Sequence, residues 1–144
     1  MSERILYERT EPQPDRRVVG TIIGEPGNRS YLINGAAVAT EGDDQTAKMA
    51  RFVMEMSLPA SIAWIGGGFC IGPRLVVALC GADQIVYEIE PALAEFCPKG
   101  ATFIPGDYRT TLTGKYDVIV YDLGGEVPDL TAHLNPGGMI LPKE

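Results

Sequence analysis

IAWIGGGFCIGPRLVV, residues 62–77, is the stretch that decides the fold. A short apolar run ends in three consecutive glycines. The apolar positions then recur at helical spacing, with Pro73 placed where only the first turn of a helix accepts it. Strand, glycine turn and helix in that order form the opening unit of a parallel α/β sheet. Glycines without side chains let backbone come close to a small ligand, and the helix start behind them carries amides not used within the helix.

Reading outward, the pattern repeats downstream. DQIVYEIE reads as the next strand, PALAEFC as a short helix entered through Pro91, and ATFIP as a third strand. KYDVIVYD has the near-continuous apolar centre of a parallel strand covered on both faces. VPDLTAHL reads as a short helix, and NPGG as a turn into a last strand, MILP. Upstream, RVVGTII, RSYLIN and AAVAT are separated by EPGN and Asn34-Gly35, and read as antiparallel strands joined by tight turns. Between Asp43 and Met56 the period becomes helical, with Asp43 or Asp44 at the cap and Leu58-Pro59 at the end. The expected organisation is a flexible polar arm over 1–17, hairpins and a helix over 18–59, and a shortened Rossmann-like core over 60–144. The fold class is α/β: a doubly wound, mostly parallel sheet with a small N-terminal antiparallel hairpin region.

Composition narrows the chemistry. At 144 residues and 15.5 kDa the chain suits one hydrophobic core. A formal charge of -7, with no Lys/Arg cluster, argues against nucleic acid and anionic membrane as partners. The first twenty residues are polar where a signal peptide needs an apolar stretch, so a cytoplasmic location is expected. The cysteines Cys70, Cys80 and Cys97 form no CxxC pair and His133 is the sole histidine, so no metal site is expected. The same scarcity leaves a Ser-His-Asp arrangement poorly supported.

In such sheets, ligands lie beyond the carboxyl ends of the strands. Gly66, Gly67 and Gly68 occupy one such end. Glu88 stands at the next, where a carboxylate can accept hydrogen bonds from ribose hydroxyls. Gly106-Asp107 and Asp122 stand at two more. Each acid also has a plainer use, as a solvent-facing residue or a turn cap. Glu90, before Pro91, reads as a helix cap, while Trp64 and Tyr87 read as packing residues.

These residues resemble the class I S-adenosylmethionine-dependent methyltransferase fold, and within it the spermidine synthase group of aminopropyltransferases. The likeness rests on YLINGAAVATEGDD, IAWIGGG with Arg74, VYEIEP, FIPGDYR, YDVIVYD and LNPGG, in family order over about residues 30–142. It implies that Gly66 and Gly68 line the methionine side of S-adenosylmethionine or a related adenosine thioether. Glu88 would then hold the ribose, Asp107 would face the adenine, and Asp122 would lie beside the reacting centre. The chain departs from the family at Phe69, where an aspartate binds the cofactor's amino group, and at Val38, Ala47 and Gly125. The family fold also continues past the final strand here, so an uncovered sheet edge and a homo-oligomer are expected.

The leading function is therefore a S-adenosylmethionine-type cofactor-binding protein related to methyl and aminopropyl transferases, with Asp122 as catalytic residue and a small-molecule nucleophile as substrate. A non-catalytic structural or interaction protein that retains the fold is the first alternative. A nicotinamide-dependent oxidoreductase is the second, disfavoured because GGGFCIG lacks the GxGxxG placement.

Overall fold

The computed structural model describes residues 5–12, 17–41, 61–79, 81–123 and 126–142. The chain divides into two compact units, Met1–Asp43 and Asp44–Glu144. The expected helix over Asp43–Met56 and the expected boundary at 59/60 lie outside the described residues.

The first unit is an antiparallel meander of β1 (Ile5–Pro12), β2 (Arg17–Ile23), β3 (Ser30–Ile33) and β4 (Ala36–Thr40), ordered β1-β2-β3-β4. Asn34 and Gly35 both take positive φ, 50° and 82°, and so close the β3–β4 hairpin with the expected turn. Pro26-Gly27 closes the β2–β3 connection, with Gly27 at φ 88° and the Asn28 amide donating to the Glu25 carbonyl at 2.8 Å. The Glu41 carboxylate ties this turn down by accepting from the amides of Gly27 and Arg29. One expectation is corrected: the loose arm over 1–17 contains β1, which pairs with β2 from Ile5↔Ile23 to Pro12↔Arg17. Its charged residues masked a strand, because backbone pairing along an edge does not require an apolar sequence.

The second unit is a five-stranded parallel sheet ordered β7-β6-β5-β8-β9. Its strands are β5 (Ser61–Ile65), β6 (Asp83–Glu88), β7 (Ala101–Pro105), β8 (Tyr116–Tyr121) and β9 (Leu134–Pro142). Apolar clusters cover both faces, as the uninterrupted apolar strands require. One contains Ile62, Trp64, Val76, Val86, Val118 and Val120; the other contains Ala63, Ile65, Tyr87, Tyr116, Ile119 and Leu130. Helix α1 (Ile71–Leu79) follows β5, and Pro73 is its third residue, where no intrahelical amide is lost. Trp64 packs as expected: its indole donates to Gln84 Oε1 at 2.7 Å, and Gln84 in turn donates to the Pro73 carbonyl at 3.1 Å, stitching α1 to the sheet.

Pro91–Phe96 forms a 3-10 helix, and Glu90 caps it by accepting from the Ala92 amide. Helix α2 (Tyr108–Thr111) follows β7. Of the helix expected in VPDLTAHL, the structure has a 3-10 turn at Thr131–His133. The last strand begins earlier than MILP. NPGG lies inside β9 as an irregularity, where pairing jumps from Tyr116↔Leu134 to Val118↔Met139. Gly138 is required there, since a Cβ would stand 2.9 Å from the carbonyl oxygens of Asn135 and Asp117. No helix among the described residues is long and apolar enough to cross a membrane.

Candidate functional site

The strand order reverses around β5, with β6 and β7 on one side and β8 and β9 on the other. A crevice opens at such a switch point. Hydrogen bonds carry the ladders one residue past the strand ends: Gly66 donates to the Tyr87 carbonyl at 2.8 Å, Gly106 to that of Glu88 at 3.0 Å, and Asp122 to that of Ile65 at 2.9 Å. Four strand ends are thereby held side by side. Above them lies a cleft of about 270 Å³ lined by Gly66, Tyr87, Glu88, Ile89, Gly106 and Asp107, with Tyr108, Arg109, Tyr121 and Leu123 completing the wall.

Gly66 forms the floor. At φ 83°, with Leu123 and the Asp122 carbonyl directly above its Cα, the position has no room for a Cβ. Gly67 and Gly68 do not line the cleft. A Cβ on Gly67 would overlap Val86, and both amides turn toward Glu88.

Glu88 is 6% exposed. Its Oε1 accepts from Gly67 and Gly68 at 3.2 Å each, and its Oε2 accepts from the Glu90 amide at 2.9 Å. Burial raises its carboxyl above the ordinary carboxylate value, while the three amides pull it back. A carboxylate oxygen accepts about two hydrogen bonds, so Oε1 is filled and Oε2 has room for one more.

Asp107 lines the cleft, but its carboxylate is engaged with Arg109. It caps α2 through the Arg109 amide at 2.9 Å and meets the guanidinium at 2.6–3.1 Å. That pairing holds its carboxyl below the usual range. Asp122 is half-buried and is not among the lining residues; Leu123, the next residue, is.

Phe69 requires a correction. Its ring is 2% exposed and packs edge-on against Phe96 at 4.9 Å, so it occupies the core and does not line the cleft. Arg74 secures the same corner by donating twice to the Phe96 carbonyl at 3.1 Å. Ala47 and Gly125 lie outside the described residues, as does the side chain of Val38.

Several wall residues were not anticipated from the sequence. Tyr108 and Tyr121 pack with their rings nearly perpendicular, centroids 6.1 Å apart. Tyr87 shares a 2.6 Å hydrogen bond with the Tyr116 hydroxyl, which donates to the Thr113 carbonyl at 2.8 Å. Ile89 and Leu123 are 44% and 51% exposed at the cleft, an unusual position for large apolar side chains. Their signal in the sequence was slight: an apolar residue directly after each strand-end acid.

No protein-family model matches the sequence, and no curated protein matches it. Solved structures do. Trm5b from Pyrococcus abyssi aligns over 92% of this chain and 46% of its own, at 17% identity and a TM-score of 0.57. A S-adenosylmethionine-dependent methyltransferase from Thiobacillus denitrificans, solved with S-adenosyl-L-homocysteine, aligns over 69% and 47% at 19% identity and a TM-score of 0.55. A protein-L-isoaspartate O-methyltransferase aligns over 83% and 39%, at 21% identity and a TM-score of 0.57. The chain thus spans less than half the length of each of these three. Nothing in them favours the dehydrogenase alternative. Sheet order, switch point and these likenesses agree that the chain has the Rossmann-like fold of class I S-adenosylmethionine-dependent methyltransferases.

Proposed function

We propose that the cleft holds the adenosine half of a S-adenosylmethionine-type ligand, and that the protein is a transferase or a descendant of one. The observation that carries this reading is the wall itself. Ile89 and Leu123 are exposed apolar side chains suited to cover a flat base, and Glu88, which lines the same cleft, has one acceptor position left on Oε2 for a ribose hydroxyl. Gly66 lines the cleft as bare backbone, its Cβ position being taken by the Leu123 side chain and the Asp122 carbonyl. Asp107 contributes to the wall through its ion pair with Arg109.

Such a cofactor, when bound, supplies an electrophilic carbon on its sulfonium sulfur. The protein's share is to hold a nucleophile in line and to accept its proton. Asp122, beside Gly66 at the end of β8, is the residue assigned to that proton. Polyamine synthesis is the weaker specialisation, because Phe69, Val38, Ala47 and Gly125 all differ from the resembling family.

One observation favours the non-catalytic alternative: the Glu88 carboxylate and two amides of the glycine turn satisfy one another. Calorimetric titration of the full chain with S-adenosylhomocysteine separates the readings. Saturable binding supports the cofactor site. No heat at millimolar ligand, from a sample shown to be folded, contradicts it. Self-association through the edge strand β9 is a further part of the proposal, measured by light scattering across dilution.

A further inference from the structure

Resting on the adenosine reading of the cleft, a second question is where recognition of such a ligand stops. The amino-acid tail of a full-length cofactor carries a carboxylate and an ammonium, and both need partners once removed from water. The glycine turn is the feature expected to meet that tail, yet its amides are committed inside the protein. Gly66 donates to Tyr87, Gly67 and Gly68 to Glu88, and Cys70 to the Gly67 carbonyl at 2.9 Å.

A ligand carboxylate seeking the two middle amides would have to displace Glu88. That side chain is buried and its second oxygen is anchored to the Glu90 amide. Two carboxylates competing for the same donors in a partly dry site repel each other as well. The residues after the turn offer no substitute, since Phe69 and Cys70 are both packed in the core. Arg109 is held by Asp107 in a bidentate pair. The cleft volume of about 270 Å³ also falls just below the range of about 300–1,000 Å³ typical for sites of drug-sized ligands. A nucleoside with a small substituent is the better match in size.

We propose that the site recognises adenosine up to its 5′ sulfur and gives the amino-acid tail no net affinity. Its ligand class is the adenosine 5′-thioethers with a short alkyl substituent, and longer members of the series bind no better. The test is a calorimetric series on the full chain with adenosine, methylthioadenosine and S-adenosylhomocysteine in one buffer. The expected result is a methylthioadenosine dissociation constant equal to that of S-adenosylhomocysteine within about threefold, under 1 kcal/mol. S-adenosylhomocysteine binding more than about threefold tighter than methylthioadenosine would overturn the proposal and leave the adenosine reading standing. If neither adenosine nor methylthioadenosine binds a folded sample at millimolar concentration, the adenosine reading fails and this proposal fails with it.

Discussion

Glu88 Oε1 accepts the amide protons of both Gly67 and Gly68, each at 3.2 Å, so the acid at the end of β6 clasps the turn at the end of β5. The sequence suggested that both features face a ligand. In the structure they first face each other.

Removing the clasp leaves buried donors without an acceptor. Glu88→Ala strips the partner from three amides, those of Gly67, Gly68 and Glu90. At about 1–3 kcal/mol for each unsatisfied buried group, the expected loss is on the order of 3 kcal/mol or more. Urea unfolding of the variant measures it directly. A loss below about 1 kcal/mol would mean that water replaces the carboxylate without penalty.

The same carboxylate should leave a signature in pH. Burial is the largest influence on Glu88 and raises its folded-state pKa above the ordinary 4.5. The folded protein therefore binds this proton more tightly than the unfolded chain does. Its contribution to stability is full below the ordinary value and is lost as pH rises through the folded-state value. Thermal unfolding of the wild type and Glu88→Gln, followed from about pH 4 to about pH 8, should show the wild type losing ground to the variant as pH rises. The reverse trend would show that the amide hydrogen bonds outweigh burial.

Phe69 tests the comparison with aminopropyltransferases. Phe69→Ala should cost about 3–5 kcal/mol as a large buried ring is lost. Phe69→Asp should cost more, because it buries a charge against Phe96. Restoring the resembling family's acid is thus expected to unfold the protein before it repairs any activity. Phe69→Leu, which keeps the core apolar, should bind methylthioadenosine as the wild type does. A Phe69→Asp variant of normal stability would place this side chain outside the core.

Cys70 follows the glycine turn at φ 57° and is fully buried. Burial, reinforced by Cys97, pushes its thiol up to about 12. At pH 8 only about one molecule in 10⁴ then carries the thiolate, against roughly one in four for an ordinary cysteine. Maleimide labelling resolved by peptide mass spectrometry should find Cys70 unmodified while the protein is folded and labelled after denaturation. Rapid labelling in the folded state would contradict its enclosed position.

What could be read from the sequence was what depends on local pattern. The apolar runs of β5 and β8, the Asn34-Gly35 hairpin, the first-turn Pro73 and the Glu90 cap all follow from short-range rules and agree with the structure. Features that depend on distant partners were misread or missed. β1 looked like an arm because its pairing with β2 leaves no strong mark on a charged sequence. Glu88 was placed at the correct strand end, but nothing in VYEIEP shows that its carboxylate is engaged by the amides of a turn twenty residues earlier. Asp107 was singled out without Arg109, two positions on, which now occupies it. Phe69 was connected with the cofactor only because the resembling family has an aspartate at that position, whereas in the structure its ring packs against Phe96 in the core.

The proposed binding mode places an adenosine moiety over the ends of β5, β6, β7 and β8. Amide chemical-shift mapping of the ¹⁵N-labelled full chain titrated with methylthioadenosine tests it most directly. Saturable shifts are expected to concentrate at Gly66, Ile89, Tyr108 and Leu123, which follow four different strand ends and meet in this cleft. Shifts confined to other residues, or none at millimolar ligand, would contradict it.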